Sequence, residues 1–299
     1  MALWQANEVK LRLEKVFPKL IVELNIIKTQ GDKILDQALS KIGDKGLFTK
    51  EIENALINGE ADVAVHSLKD LPTQLPKGLK LGAVLERGEV CDAFISKGGL
   101  TINQLTENHT VATSSLRRIA QLKSIAKNVK IKDIRGNVES RINKMKEGYC
   151  DAIILAGAGV TRLGMQSNIT EMISPQMILP AVSQGIVGIE CREDDMDTQE
   201  IINKINHDDT MLIAEAERTF LATVEGGCQI PVGCFSTLKE NSYTLTAFIS
   251  DPEGVTILKD EVSNTKEMAN QTAKTLGTQL LQAGGKKILD DIRKMNNLH

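Results

Sequence analysis

The sequence predicts an α/β protein with two doubly wound lobes and a small α+β domain at its C-terminal end. Predicted strands and helices alternate over most of the first 204 residues, which is typical of mostly parallel sheets with helices on both faces. The rhythm changes at Asp208, where a long helix precedes strands and further helices. A length of 299 residues corresponds to about two domains of ~150 residues and is enough to bury a full core.

The first lobe is predicted from a charged helix with apolar residues at helical spacing, which ends near Pro18, and from short apolar runs bounded by turn residues. Its elements are a helix over Ala2–Val16, a strand over Leu20–Ile27, a helix over Leu47–Ile57 and strands over Ala61–His66 and Leu79–Leu85.

The second lobe continues the same alternation. Its elements, with the strand that returns to the first lobe, are strands over Asp92–Ile95 and Thr110–Ala112, a helix over Leu116–Ala126, a strand over Val129–Ile134, a helix over Val138–Lys146, a strand over Ala152–Leu155 and the return strand over Ile186–Cys191.

The C-terminal domain begins with a helix that stops at two glycines. Its elements are a helix over Met211–Val224, strands over Tyr243–Ile249 and Val255–Val262, and helices over Lys266–Ala283 and Lys286–Met295.

Two segments, Glu86–Val90 and Leu179–Gly185, are interpreted as crossings between the lobes. They predict a first lobe from residues 1–86 and 186–204, a second lobe from residues 91–180 and a C-terminal domain from residues 208–299. Two lobes joined by two crossings enclose a cleft.

Composition excludes several function classes. A net charge of −3 and an aromatic content of 3% argue against general nucleic-acid binding. No apolar run approaches the ~20 residues of a membrane span, and the N-terminus lacks the features of a signal or transit peptide, so we expect a cytoplasmic protein. The five cysteines form no CxxC pair and do not cluster with the four histidines, so neither a disulfide framework nor a metal site is expected.

Four loops at the predicted carboxyl ends of strands carry cations, and in open α/β sheets such loops form ligand sites. Arg117 and Arg118 stand at a helix start, where the helix dipole makes each cation unfavourable by about 0.3–1 kcal/mol. A bound anion reverses that cost. The alternative is a solvated surface on which both arginines pair with acids. The four loops together favour a ligand with several carboxylates or phosphates, and no P-loop pattern supports a nucleotide.

Two further residues have both a functional and a structural interpretation. Asp70, beside Lys69, is either a turn residue that bonds its own backbone or a carboxylate that holds a proton or stabilises a cation on a substrate. Cys228 follows two glycines that leave room on its sulfur, yet most intracellular cysteines are buried apolar residues. Cys234 is an equal rival on these grounds.

The whole chain resembles the porphobilinogen deaminase (hydroxymethylbilane synthase) family. The resemblance runs from Ala2 to about the last helix. The stretches that carry it are ALWQA (2–6), KIGDKGLF (41–48), ADVAVHSLKDLP (61–72), TSSLRR (113–118), RGNVESR (135–141), DAIILAGAGVTRLG (151–164), LPAVSQGIVGIECR (179–192) and EGGCQIPVG (225–233).

This resemblance implies two lobes like those of type II periplasmic binding proteins and a third domain with a dipyrromethane cofactor, joined by a thioether to Cys228. It implies that four porphobilinogen molecules are condensed head to tail into hydroxymethylbilane with release of ammonia, and that Asp70 is the catalytic carboxylate. It also implies a monomer whose partners are porphobilinogen and the growing polypyrrole chain. The implied cofactor-binding residues are Cys228, Lys69, Ser67, Thr113, Ser115, Arg117, Arg118, Arg135 and Gly136, and the implied substrate-binding residues are Lys41, Arg141 and Arg162.

The sequence also departs from the family pattern. Family members carry a strand with T-R-x-S shortly before A-L-W-Q-A, whereas this sequence starts at Met1, so we expect that strand and two cofactor contacts to be absent. The alternative function is therefore an inactive or weakly active anion-binding protein on the same two lobes. Gln30 and Cys91 replace residues that are usually basic in the family. A cysteine transferase or hydrolase is disfavoured because no histidine motif accompanies Cys228.

Overall fold

The computed structural model describes residues 1–29, 49–224 and 230–297. The strands are β1 (Val63–Ser67), β2 (Leu79–Val84), β3 (Asp92–Ser96), β4 (Thr110–Ala112), β5 (Lys130–Lys132), β6 (Ala152–Ala156), β7 (Glu171–Ile173), β8 (Val187–Arg192), β9 (Val232–Lys239), β10 (Ser242–Ser250) and β11 (Ile257–Thr265). The helices are α1 (Ala2–Val16), α2 (Lys50–Ile57), α3 (Leu116–Ile125), α4 (Val138–Lys146), α5 (Gly157–Arg162), α6 (Met196–Asn203), α7 (Asp208–Thr223), α8 (Ala269–Leu280) and α9 (Lys286–Asn297).

The described part of the first lobe contains a sheet in the order β1-β8-β2, in which β8 is antiparallel to both neighbours. Its core includes Val9 and Leu13 of α1, packed with Val187 and Ile189 of β8. The prediction of mostly parallel sheets is wrong here. Strand β8 re-enters this lobe from a crossing rather than from a helix of the same lobe, so nothing in the connection requires it to be parallel.

The predicted strand over Leu20–Ile27 is also wrong, since this segment pairs with no strand among the described residues. A cavity of about 820 Å³ lies between this segment, α1 and β1. The apolar alternation instead lets Leu20 and Val22 pack against the core of the first lobe, whereas Ile21 and Ile26 face outward and are exposed.

The second lobe has a five-stranded sheet in the order β5-β4-β6-β3-β7. Strands β5, β4 and β6 are mutually parallel, as predicted, whereas β3 is antiparallel to β6 and β7. No helix precedes β3 after it leaves the first lobe, and this explains its opposite direction. Apolar clusters cover both faces of the sheet, and they contain Ile153 on one side and Ile154 on the other.

The two crossings run side by side. The backbone N–H of Gly88 donates to the carbonyl of Gly185 at 3.0 Å. Gly185 has φ +88°, and a Cβ there would lie 2.8 Å from the carbonyl oxygens of Gly88 and Glu89. Only glycine therefore allows the crossings this close an approach.

The C-terminal domain packs an antiparallel sheet, ordered β11-β10-β9, against α7, α8 and α9. Its core contains Phe220, Tyr243 and Leu276, all fully buried. The predicted α+β domain is confirmed. Strand β9 is not among the predicted strands, because Gly233 and two hydroxyl residues, Ser236 and Thr237, interrupt its apolar alternation. Of the helices in the described ranges, none has both the length and the apolar character of a membrane span.

Candidate active site

Asp70 lies on a 3-10 turn that directly follows β1, over Leu68–Asp70. The turn is anchored where Leu68 is buried and its N–H donates to the carbonyl of Ile186 at 3.0 Å. Asp70 itself is exposed. At the end of β1, the hydroxyl of Ser67 accepts a hydrogen bond from the amide of the buried Gln5 at 2.8 Å. The first lobe thus presents a carboxylate on a fixed turn.

Lys69 links this turn to the cations of the second lobe. Burial lowers the pKa of Lys69, the charge of Asp70 raises it, and the charges of Arg118 and Arg117 lower it further. Asp92 acts in the opposite direction. Lys69 therefore lies within electrostatic range of the cations that follow β4, as expected for loops at the carboxyl ends of strands.

Arg117 and Arg118 share one buried carboxylate. Nη2 of Arg117 donates to Oδ2 of Asp92 at 2.8 Å, and Nη2 of Arg118 donates to Oδ1 at 2.7 Å. Burial raises the pKa of Asp92, but the two guanidinium charges lower it by more, so it lies well below its usual range. Nη1 of Arg117 donates to the carbonyl of Leu179, and Nη1 of Arg118 donates to that of Ile154. The pair is therefore buried, and the solvated-surface alternative does not describe it.

The two arginines carry one more positive charge than Asp92 compensates. Nε of Arg118 is buried and has no hydrogen-bond partner among the described residues. Burial lowers the pKa of Arg117, and the neighbouring charge of Arg118 contributes in the same direction. This arrangement favours an anion at the cleft side of α3.

The hydroxyl residues before α3 lie in the same loop. The N–H of Thr113 donates to the carbonyl of Lys132, and its side-chain oxygen accepts from the N–H of Ser115 at 3.3 Å. Ser115 is the N-cap of α3, yet its hydroxyl makes no capping hydrogen bond. That hydroxyl is not committed to the helix and is able to bind a ligand.

Arg135, Gly136 and Arg141 follow β5 and reach the same charge cluster. Gly136 has φ +117°, and its carbonyl accepts a hydrogen bond from Nε of Arg141 at 2.6 Å. The carbonyl of Arg135 accepts from Nζ of Lys144 at 3.0 Å. Burial lowers the pKa of Arg141, and the charges of Arg118 and Arg135 lower it further. The cations that follow β4 and β5 therefore lie within electrostatic range of one another.

Arg162 lies apart from this cluster, at the crossings. Its Nη2 donates to the carbonyl of Gly185 at 2.7 Å, and its guanidinium carbon lies 5.2 Å from the centroid of the Trp4 ring. Burial lowers the pKa of Arg162, and the charge of Glu8 raises it. The structure therefore joins Arg162 to α1 and the crossings.

Lys41 and Cys228 lie outside the described residues, as does Gln30. Cys234 lies on β9 and is fully buried, and burial raises the pKa of its thiol well above the usual range. A buried neutral thiol of this kind is a packing residue.

Two residues of the site were not predicted from the sequence. The sequence pattern predicts Asp92 only as the start of a strand and Gln184 only as part of a crossing, yet Nε2 of Gln184 donates to Oδ1 of Asp92 at 3.0 Å. The sequence does contain a signal for the burial of Asp92. An acid at the start of the apolar run Ala93–Ile95 is destined for burial, and a buried carboxylate needs cationic partners.

Comparison with known proteins agrees with this geometry. Residues 1–200 match a family model described as "Porphobilinogen deaminase, dipyromethane cofactor binding domain", and residues 211–282 match "Porphobilinogen deaminase, C-terminal domain". The curated porphobilinogen deaminase of Carboxydothermus hydrogenoformans is 47% identical over 99% of this chain and 96% of its own length. That of Chlorobium luteolum is 46% identical over 98% of this chain and 95% of its own.

Among solved structures, a TRAP periplasmic solute binding protein from Desulfovibrio salexigens DSM2638 has a TM-score of 0.41 and 12% identity, covering 72% of this chain and 70% of that chain. The sequence relationships are far stronger and span both family models. They establish that this chain belongs to the porphobilinogen deaminase family.

Proposed function

We propose that this chain is a porphobilinogen deaminase, which joins four porphobilinogen molecules head to tail into hydroxymethylbilane for tetrapyrrole biosynthesis. In each joining step, the aminomethyl carbon of one molecule bonds to the free ring carbon of the preceding pyrrole. Its amino group leaves as ammonia, which carries the proton displaced from that ring carbon, and water releases the finished tetrapyrrole. The observation that carries the proposal is the exposed Asp70 beside a cation cluster from both lobes.

The residues present fit a covalent dipyrromethane with acetate and propionate side chains. Nε of Arg118, which has no partner in the described part of the chain, and the hydroxyl of Ser115, which makes no capping bond, supply donors for such carboxylates. Bound to Cys228, the cofactor supplies the free ring carbon to which the first substrate is joined. The chain's groups that would hold it are Ser67, Lys69, Thr113, Ser115, Arg117, Arg118, Arg135 and Gly136.

Asp70 acts on the pyrrole ring rather than on its carboxylates. When ammonia leaves, the ring nitrogen shares the positive charge, and a carboxylate within reach stabilises that charge. The same carboxylate then holds the proton that the ring must lose. Lys69, next to it, is suited to a substrate carboxylate, because its charge lies among other cations that Asp92 only partly compensates.

The substrate and the growing chain are polyanions, for which Arg141, Lys41 and Arg162 are the further binding residues. Arg141 is supported by its place beside Arg118 and Arg135. The protein has a net charge of −3, so the attraction depends on this local cluster rather than on total charge. Arg162 differs from Arg141, because its contacts with Gly185 and Trp4 favour a second role in holding the crossings.

The first experiment is the intact mass of the purified chain with peptide mapping, followed by turnover of porphobilinogen. We expect a mass excess of two linked pyrroles on Cys228 and formation of hydroxymethylbilane. Asp70→Asn keeps the cofactor and loses turnover by at least about 100-fold, which is the usual loss when an acid–base group is removed. Asp62→Asn, an exposed carboxylate of the same lobe, keeps full turnover as the matched control.

The alternative, an anion-binding protein without catalysis, predicts an unmodified Cys228 even after exposure to porphobilinogen or preformed hydroxymethylbilane. Unmodified mass together with no turnover would refute the enzymatic proposal.

A monomer in the cytoplasm is the form we propose for the enzyme, in keeping with cysteines that form no disulfide among the described residues. Light scattering during size-exclusion chromatography measures the oligomeric state, and a dimer mass would contradict this proposal.

A further inference from the structure

Arg218 on α7 holds the turn of Asp70 from the C-terminal domain. Its Nη1 donates to the carbonyl of Leu71 at 3.0 Å, and its Nη2 donates to the carbonyl of Pro72 at 2.6 Å. These carbonyls belong to the two residues that follow Asp70. One guanidinium therefore fixes the end of the turn, while Ile186 fixes its beginning through the N–H of Leu68.

Both Nη atoms of the Arg218 guanidinium donate to neutral backbone carbonyls. Burial lowers the pKa of Arg218, and the charge of Glu190 raises it. Within the described part of the chain, its hydrogen-bond partners are these two carbonyls rather than a carboxylate. Two N–H donors on one planar group fix direction as well as distance, and the compact ammonium of a lysine reproduces this only in part.

The neighbouring residue, Glu217, fixes α7 itself. Glu217 is fully buried and accepts from Nη1 of Arg87 at 2.7 Å, from the N–H of Ser183 at 2.6 Å and from the N–H of Ser236 at 3.0 Å. Arg87 and Ser183 belong to the two crossings, and Ser236 belongs to β9. The helix that carries Arg218 is therefore held against both crossings and against the sheet of its own domain.

The same helix leads directly to the segment with the cofactor cysteine. It ends at Thr223, and Cys228 follows five residues later. We propose that Arg218 is a positioning residue that holds the turn of Asp70 from the C-terminal domain, so that the catalytic carboxylate keeps one orientation. This inference rests on the proposed function and extends it to a residue that acts through the turn of Asp70.

The test compares Arg218→Gln and Arg218→Lys with Arg192→Gln. Arg192 is the matched control, since it also donates to two carbonyls of the first lobe, those of Leu56 and Ala61, away from Asp70. We expect Arg218→Gln to keep its cofactor by intact mass and to lose about 10- to 100-fold in kcat with KM within about twofold, because small displacements of catalytic groups have effects of this size. Arg218→Lys restores part of that loss, and Arg192→Gln keeps kcat within about twofold.

A second readout does not depend on catalysis. Hydrogen exchange of the peptide over residues 66–72 reports the N–H of Leu71, which donates to the carbonyl of Leu68 within the turn. We expect about tenfold faster exchange there in both Arg218 variants and no change in the control. Unchanged exchange, or a kcat of Arg218→Gln no lower than that of Arg192→Gln, overturns the inference. If Arg218→Gln does not fold, Arg218→Lys decides by the same measurements. An inactive, unmodified wild type instead refutes the proposed function. The exchange result then still shows whether Arg218 holds the turn of Asp70.

Discussion

Replacing Asp92 by Asn tests the buried centre of the candidate site with almost no change in side-chain volume. Asp92 is fully buried and is bonded to Arg117, Arg118 and Gln184 at 2.8, 2.7 and 3.0 Å. The substitution removes the negative charge and leaves two buried guanidinium groups without a counter-ion. A neutral amide oxygen accepts some of these bonds but compensates neither charge.

The magnitude follows from that geometry. Breaking a buried ion pair by removal of one partner typically costs about 3–5 kcal/mol, and here one carboxylate serves two cations. With a denaturant dependence of about 2–3 kcal/mol per molar urea, the midpoint of unfolding falls by about 1–2.5 M.

Urea denaturation followed by circular dichroism measures this shift. Asp62→Asn is the control, because Asp62 is exposed and makes one contact of 3.2 Å with Arg192, and exposed ion pairs contribute about 0–1 kcal/mol. A midpoint for Asp92→Asn that falls no further than that of Asp62→Asn would refute the reasoning that this carboxylate is the buried counter-ion of the site.

Three further expectations follow from the structure. The pKa of Asp92 in the folded chain lies below its unfolded value of about 3.9, so its stabilisation is complete above about pH 5 and is lost progressively as the pH falls toward the folded pKa. The difference in melting temperature between wild type and Asp92→Asn therefore shrinks between pH 5 and pH 3. Gly254→Ala lowers the melting temperature more than twice as much as Gly59→Ala. Both glycines have positive φ, but a Cβ at residue 254 would lie 2.0 Å from the carbonyl oxygen of Ala120, whereas a Cβ at residue 59 meets open space. Equal melting temperatures of the two variants would contradict this expectation. Cys234 does not react with a thiol reagent at pH 8 until urea unfolds the chain, because burial raises the pKa of its thiol, and rapid reaction of the native protein would show that β9 opens.

The sequence predicted most elements well because their signals are local. Helix α1 and helix α4 have the predicted bounds, and β4 does as well. Such elements depend on the spacing of apolar residues and on caps, such as Asn137, whose side chain accepts from the N–H of Ser140. Strand direction cannot be predicted from such local signals, because alternation of strands and helices does not specify which strands enter a sheet from a crossing.

In the candidate site, too, the sequence predicts what depends on neighbouring residues but not the contacts between distant segments. Local sequence was enough to indicate Asp70 on a turn after a buried strand, and cations on the loops after β4 and β5. The partners of those cations were not predictable, since Asp92 and Arg117 are 25 residues apart and meet only when β3 and α3 pack in one lobe.

The amino-acid sequence by itself thus determined the class of the fold, the family resemblance and the residue types that bind carboxylates, because periodicity and motif are properties of neighbouring residues. Only the tertiary structure decided that Arg117 and Arg118 are buried around Asp92, that Arg162 lies at the crossings, and that Arg218 reaches the turn of Asp70. Each of these depends on which distant segments meet, and the desolvation of a charge is fixed by everything packed around it.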